Sequence, residues 1–176
     1  MEHSHPSGLV ARFFGHPEIE LGGTPVHIER HKTIALLAYV AVTGRRLGRD
    51  TLAALLWPDY EGTQANAYLR RTLWELRKAL GEGCLDVDRQ TVARAPASGL
   101  WVDVARFQEF LAGPEGASGD RCQALEEAVA LYRGDFLAGF SLRDSPDFDE
   151  WQSLQTEALR RQFAEALAAL AAAHGE

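Results

Sequence analysis

The sequence predicts a mainly α fold with a small β component, and three observations carry that expectation. Apolar residues recur at helical spacing through most of the 176 residues. The stretch before residue 30 consists instead of short β-rich runs cut by Gly and Pro. One long amphipathic segment, Thr63 to Leu80, lies between a shorter helix and two extended runs joined by a turn. At 46% hydrophobic residues the chain can fill one large core or two small ones.

The opening MEHSHPSG is polar and rich in breakers and reads as a flexible tail over residues 1–8. Leu9 to Phe14, Ile19 to Leu21 and Val26 to Ile28, punctuated by Gly15, Pro17, Gly22, Gly23 and Pro25, predict a small antiparallel sheet. From Arg30 the period becomes helical, with Ile34, Leu37, Ala38 and Ala41 on one face until Gly44 ends the run. Asp50 is the expected N-cap of a second helix, TLAALLW, which Pro58 stops after barely two turns. Thr63 is the expected N-cap of a third, TQANAYLRRTLWELRKAL, with Gly81 just past its end. Cys84 to Val87 and Thr91 to Ala95, joined by Asp88, Arg89 and Gln90, predict a β-hairpin. A sheet, three helices and a hairpin in this order make the winged helix-turn-helix arrangement.

Past residue 100 the prediction is almost wholly helical. Trp101 and Val102 form a last strand, and Asp103 caps a helix carrying Val104, Phe107, Phe110 and Leu111. After the polar break GPEGASGD, residues Cys122, Leu125, Ala128, Val129 and Tyr132 line a helix ending near Gly134. DFLAGF then leads into a long helix from about Phe148 to His174. Trp151, Leu154, Ala158, Leu159, Phe163, Ala166, Leu167 and Leu170 are expected on its buried face. Its alanine-rich end resembles half of a helical-hairpin repeat. The expected division is a tail over 1–8, a winged helix over 9–100 and a helical domain over 101–176.

Charge is distributed unevenly. Residues 1–98 hold 12 Lys and Arg against 11 Asp and Glu, while residues 99–176 hold 6 against 14. The acidic second half would repel nucleic acid, so any phosphate contact is expected from the first. There the Thr63–Leu80 helix buries Leu69, Leu73, Leu76 and Leu80 and turns Gln64, Ala67, Arg71, Trp74 and Lys78 to the opposite side. A basic outer face on an acidic protein suggests a polyanionic partner. Glu75 is the one residue that dissents.

Other chemistries lack their motifs. Cys84 and Cys122 are far apart and form neither a disulfide framework nor a CxxC site, and the six histidines show no metal-ligand spacing. His3 beside the amino terminus is at most an adventitious metal site. Trp57-Pro58-Asp59 suggests a phosphatase acid loop, but no cysteine has an arginine at the required offset. Asp147, Asp149 and Glu150 stand at a helix start, where carboxylates complement the dipole. No phosphate-cradling glycine loop occurs, so no cofactor and no enzymatic activity are expected. Without a secretory signal or an apolar run near the ~18 residues of a membrane helix, the chain is expected in the cytoplasm and off the membrane.

LLAYVAVTGRRLGRDTLAALLWPD followed by ANAYLRRTLWELRKALG resembles the winged-helix domain of the Streptomyces antibiotic regulatory protein (SARP) family, itself similar to OmpR-type output domains. VDVARFQEFLA, ALEEAVALYRGDFLAGF and EWQSLQTEALRRQFAEALAALA resemble the opening of the bacterial transcriptional activator domain, built of tetratricopeptide-like helices. The likeness runs over roughly residues 9–174. It departs in two places: the family's activator domain continues through further hairpins beyond what these residues provide, and OmpR-type relatives carry a basic residue where Glu75 stands.

The resemblance implies a transcriptional activator that reads double-stranded DNA, self-associates on direct repeats and recruits RNA polymerase, with the 63–80 helix in the major groove. Arg71 is the expected base reader, because its planar fork can bond guanine twice. Arg70 and Lys78 are assigned to phosphate, with Gln64 and Trp74 on the same face. Arg45, Arg46 and Arg49 precede the second helix at a position suited to the DNA backbone, and Arg89 or Arg94 on the hairpin suits the minor groove. Trp74 is expected to pack against the second half, ahead of contacting a thymine methyl or joining an interface, and Arg77 to form an internal ion pair or cover apolar surface with its stem. The alternative is a protein-interaction module whose winged helix no longer binds DNA, with the acidic helical half docking a partner.

Overall fold

A computed structural model describes residues 8–96, 98–113 and 118–174. Residues 1–7 of the tail, with His3, and part of the GPEGASGD break lie outside them. The described chain is mostly helical with two small sheets.

The first sheet runs β3(Thr24–Pro25), β2(Glu18–Leu21), β1(Leu9–Arg12), β7(Trp101–Val102), with β1 antiparallel to β2 and parallel to β7. The expected strand at Val26 to Ile28 is instead the two residues Thr24 and Pro25. Gly22 and Gly23 both take positive φ, 58° and 80°, and turn the chain so tightly that pairing begins at once at Leu21↔Thr24. Beyond Pro25 the Val26 N–H reaches the Ile19 carbonyl at 2.8 Å, and the pairing ends there.

The helix α1(His31–Thr43) ends where Gly44 takes the left-handed conformation at φ 68° and its N–H reaches the Val40 carbonyl at 3.3 Å. The next strand, β4(Leu47–Gly48), runs directly into α2(Arg49–Leu56). Gly48, not Asp50, is therefore the N-cap, because the strand holds the chain extended up to the first helical residue. Asp50 stands in the first turn and accepts a hydrogen bond from Asn66 at 2.8 Å. The third helix, α3(Gly62–Leu80), begins one residue before Thr63. Glu61 is its N-cap, extended at φ −66° and ψ 154°, and its carbonyl accepts the Ala65 N–H at 2.9 Å. The predicted hairpin is β5(Leu85–Val87) with β6(Thr91–Arg94), and β4 adds a third strand on the β6 side.

Beyond β7 come α4(Asp103–Ala112), α5(Ser118–Leu131) and α6(Pro146–His174). Asp103 is the first residue of α4, with Val102 as its N-cap. Its carboxylate instead faces inward, accepting N–H bonds from Phe13, Phe14 and Val104 at 2.8–3.0 Å. Asp147 and Asp149 stand in the first turn of α6, and Asp149 Oδ1 accepts the Leu142 N–H at 2.8 Å.

One apolar cluster joins these elements. Phe14 meets Phe107 and Tyr132 at ring distances of 5.2 and 4.8 Å, Tyr132 stacks on Phe163 at 4.2 Å, and Tyr39 of α1 meets Trp151 of α6 at 4.6 Å. The backbone after Gly134 lies beside β1, with the Gly15 N–H on the Asp135 carbonyl at 2.9 Å and Leu137 N–H on that of Phe13 at 2.8 Å. A Cβ at Gly134 would stand 3.4 Å from the Gly15 Cα, so this approach is tight at its closest point. Two residues expected on the buried face of α6 are exposed: Leu154 (61%) and Leu167 (42%). The buried stripe follows Phe148, Leu159 and Ala166, and at 100° per residue Leu154 falls opposite it and Leu167 at its edge.

Candidate nucleic-acid interface

The helix α3 buries Ala65, Leu69, Thr72, Leu73, Leu76 and Leu80 against α1 and α2. Gln64, Ala67, Arg70, Arg71, Trp74 and Lys78 are exposed, so the structure brings these predicted positions onto the solvent side of one helix. Trp74 does not pack against the helical half. It is 59% exposed, with Lys78 Nζ 5.0 Å from its ring centre, because α1 and α2 take up the opposite side of α3.

Glu75 is turned away from this face and is half-buried. Its Oε1 lies 3.3 Å from Arg71 Nε and 3.5 Å from Arg30 Nε, and its Oε2 accepts the Thr33 hydroxyl at 3.3 Å. The residue that dissented in sequence is thus the counter-ion that holds Arg71 to the start of α1. Arg77 is half-buried, off the exposed face as expected, with Nε 3.9 Å from Glu82, beyond hydrogen-bond distance.

The remaining predicted cations divide. Arg46 pairs with Asp86 and with Asp88 at 3.2 Å, and donates to the Thr91 hydroxyl at 2.9 Å. Arg49 donates to the Asp88 carbonyl at 3.1 Å, and Arg94 to that of Leu100 at 2.7 Å. These three arginines brace the hairpin and the segment after it. Arg45, Arg70 and Arg89 are exposed and have no protein partner among the described residues.

The hairpin turn is built around Asp88. Its Oδ1 accepts the Gln90 and Thr91 N–H groups at 2.8 and 2.7 Å, and its Oδ2 accepts the Thr91 hydroxyl at 2.7 Å. The Thr91 hydroxyl bond, followed by these two N–H groups, favours the carboxylate and holds Asp88 down at about 2. A depressed carboxyl contributes stability that is complete above its unfolded value and lost as pH falls through the folded one. The Asp88 carboxyl signal is therefore expected to titrate near 2 by NMR, with Gln90 and Thr91 amide exchange accelerating over the same fall. A midpoint near 4 would contradict the turn geometry.

Sequence reasoning missed a cavity of about 670 Å³ on the flank of α3, lined by Arg30, Lys32, Trp57, Tyr68, Arg71 and Arg143 among others. Lys32 Nζ donates to the Leu56 carbonyl at 2.5 Å, pairs with Asp144 at 2.8 Å and lies 5.3 Å from the Trp57 ring centre. Ser145 Oγ donates to the same carbonyl at 2.8 Å and seats the loop before α6 against the end of α2. No local signal marks Arg30, Lys32 and Arg143 as neighbours, since the tertiary packing of that loop brings them together. Cys84 is buried, and burial raises its thiol pKa, as suits a structural thiol. Among the described residues no helix is long and apolar enough to cross a membrane.

The sequence matches no family model and no curated protein. Among solved structures, the chain is similar to Mycobacterium tuberculosis EmbR, solved in complex with a low affinity phosphopeptide, at a TM-score of 0.73 and 26% identity. The likeness covers 94% of this chain and 45% of that one, so the chain spans less than half of EmbR's length and shares the fold of that part.

Proposed function

We propose that this chain is a sequence-specific transcriptional regulator that binds duplex DNA, with α3 in the major groove and the β5–β6 wing beside it. The observation that carries this reading is the outer face of α3: Gln64, Arg70, Arg71, Trp74 and Lys78 are all exposed on a helix whose other side is fully packed. Structural similarity to EmbR, a regulator of the SARP family, supports the regulatory role. Arg71 reads a base, Arg70 and Lys78 contact phosphate, and Arg45 and Arg89 reach the backbone from either side. Arg46, Arg49 and Arg94 act by positioning the wing.

In this reading residues 9–100 form the DNA-binding domain and 101–176 a tetratricopeptide-like helical domain that makes protein contacts. By the SARP resemblance the protein activates transcription, binding direct repeats as two or more protomers and recruiting RNA polymerase; the brief loop from Pro58 to Gly62 stands where OmpR-type relatives contact the polymerase. A second reading, a protein-docking module, is favoured by the exposure of Trp74 and Tyr60. Selection of bound sequences from random duplex DNA separates the two, since only a DNA reader enriches a motif.

A further inference from the structure

The helical half is acidic, yet one of its cations stands beside α3. Of the arginines after residue 100, Arg106 pairs with Glu109, Arg121 donates to the Phe110 and Leu111 carbonyls, Arg133 reaches Glu18 and Arg160 pairs with Asp135. Arg143 and Arg161 are exposed and have no protein partner among the described residues. Arg143 lines the cavity that Arg71 also lines; Arg161 does not.

The charge in that cavity is unbalanced. Lys32 is matched by Asp144 at 2.8 Å, whereas Arg30 and Arg71 share the single carboxylate of Glu75, at 3.5 and 3.3 Å, and Arg143 has none. Arg30, Lys32, Arg71 and Arg143 therefore line a groove open to solvent whose one lining carboxylate, Asp144, is taken by Lys32. Tyr68, whose hydroxyl accepts a hydrogen bond from Gln64 Nε2 at 3.2 Å and also engages the Tyr60 side chain, lines the groove as well. Guanidinium forks and a tyrosine hydroxyl are donors that suit phosphate oxygens.

We propose that this groove seats a backbone phosphate of the same DNA duplex that α3 reads, and that Arg143 carries the DNA interface onto the helical half. The inference rests on the DNA-binding reading above. DNA is favoured over a free anion because Arg71 belongs both to the groove and to the outer face of α3, which makes the two surfaces continuous. A phosphate contact of this kind fixes how the protein lies along the duplex and carries no base preference of its own. Of the described arginines of the otherwise acidic half, Arg143 is then the one that lines this groove and meets the polyanion.

The test measures affinity of the full chain for its selected duplex, and for an unrelated duplex, as salt is raised. Neutralising one phosphate contributes about 0.9 to the slope of log affinity against log salt. Arg143→Ala is expected to shallow the slope by about that amount and to weaken both duplexes alike. Arg143→Lys should retain most of the slope, and Arg161→Ala should match wild type. The proposal is overturned if Arg143→Ala leaves the slope unchanged, or if Arg161→Ala lowers it equally. It is also overturned if the free protein binds inorganic phosphate through Arg143 while the DNA slope stays fixed. Wild-type binding with an unaffected Arg143→Ala variant defeats this inference alone, whereas a wild type that binds no DNA defeats the DNA-binding reading and this inference with it.

Discussion

Asp103→Ala is expected to lower the stability of the chain by about 3–5 kcal/mol, because it leaves three backbone N–H groups without their acceptor. Asp103 is 1% exposed. Its Oδ1 accepts the Phe13 and Val104 N–H groups, both at 2.8 Å, and its Oδ2 those of Phe13 and Phe14, both at 3.0 Å. These bonds fasten the end of β1 to the start of α4, and alanine would strand three donors in the core at ~1–3 kcal/mol each. Relief of the carboxylate's own desolvation offsets part of that sum. Burial raises the Asp103 pKa while the three N–H groups and Arg133 pull it down, and burial prevails. A raised folded value means that folding penalises the ionised form. The contribution of this group is therefore most favourable below the unfolded value and declines as pH rises from there through the folded one. Urea unfolding should show the loss as a lower midpoint at unchanged slope. A shift under 1 kcal/mol would mean that the three N–H groups find other partners.

Arg71→Ala is expected to weaken binding to the selected duplex by ~1–3 kcal/mol, or about 5- to 150-fold, and to relax preference at one base pair. In the free protein the Arg71 guanidinium is exposed and held by Glu75 across one helical turn. Such an exposed pair is worth only a few tenths of a kcal/mol, so guanine can draw Arg71 away at small cost. For the same reason the substitution should leave thermal stability nearly unchanged. Parallel mobility-shift series on matched and single-mismatch duplexes check this. Uniform weakening across all mismatches would make Arg71 a phosphate contact instead of a base reader.

Where function depends on local pattern, the sequence was legible. The 3.6-residue period of α3 predicts its exposed face, and the turn between Cys84 and Ala95 predicts the wing. Partners distant in sequence were not. Glu75 reads as an intrusion on a basic face until Thr33 of α1, 42 residues away, and the preceding Arg30 reach it. Arg46 and Arg49 read as free cations until the wing returns with Asp86 and Asp88. Asp103 has the spacing of a helix cap, but its acceptors serve N–H groups 89 and 90 residues back. Along α6 an alanine-rich pattern defines a stripe weakly, so the sequence puts Leu154 and Leu167 on a buried face that Phe148, Leu159 and Ala166 form. The helix ends shifted because strand pairing and an extended Glu61 set them in place of a side-chain cap.

The central claim, that the outer face of α3 reads DNA sequence, is tested most directly by selecting bound sequences from random duplex DNA with the full chain and with Arg71→Ala. The account predicts that wild type enriches a single motif, repeated in the same direction, with affinity that falls steeply as salt rises, and that Arg71→Ala loses preference at one position in each repeat. Recovery of no motif by a folded wild-type protein, or an identical motif with and without Arg71, would contradict it.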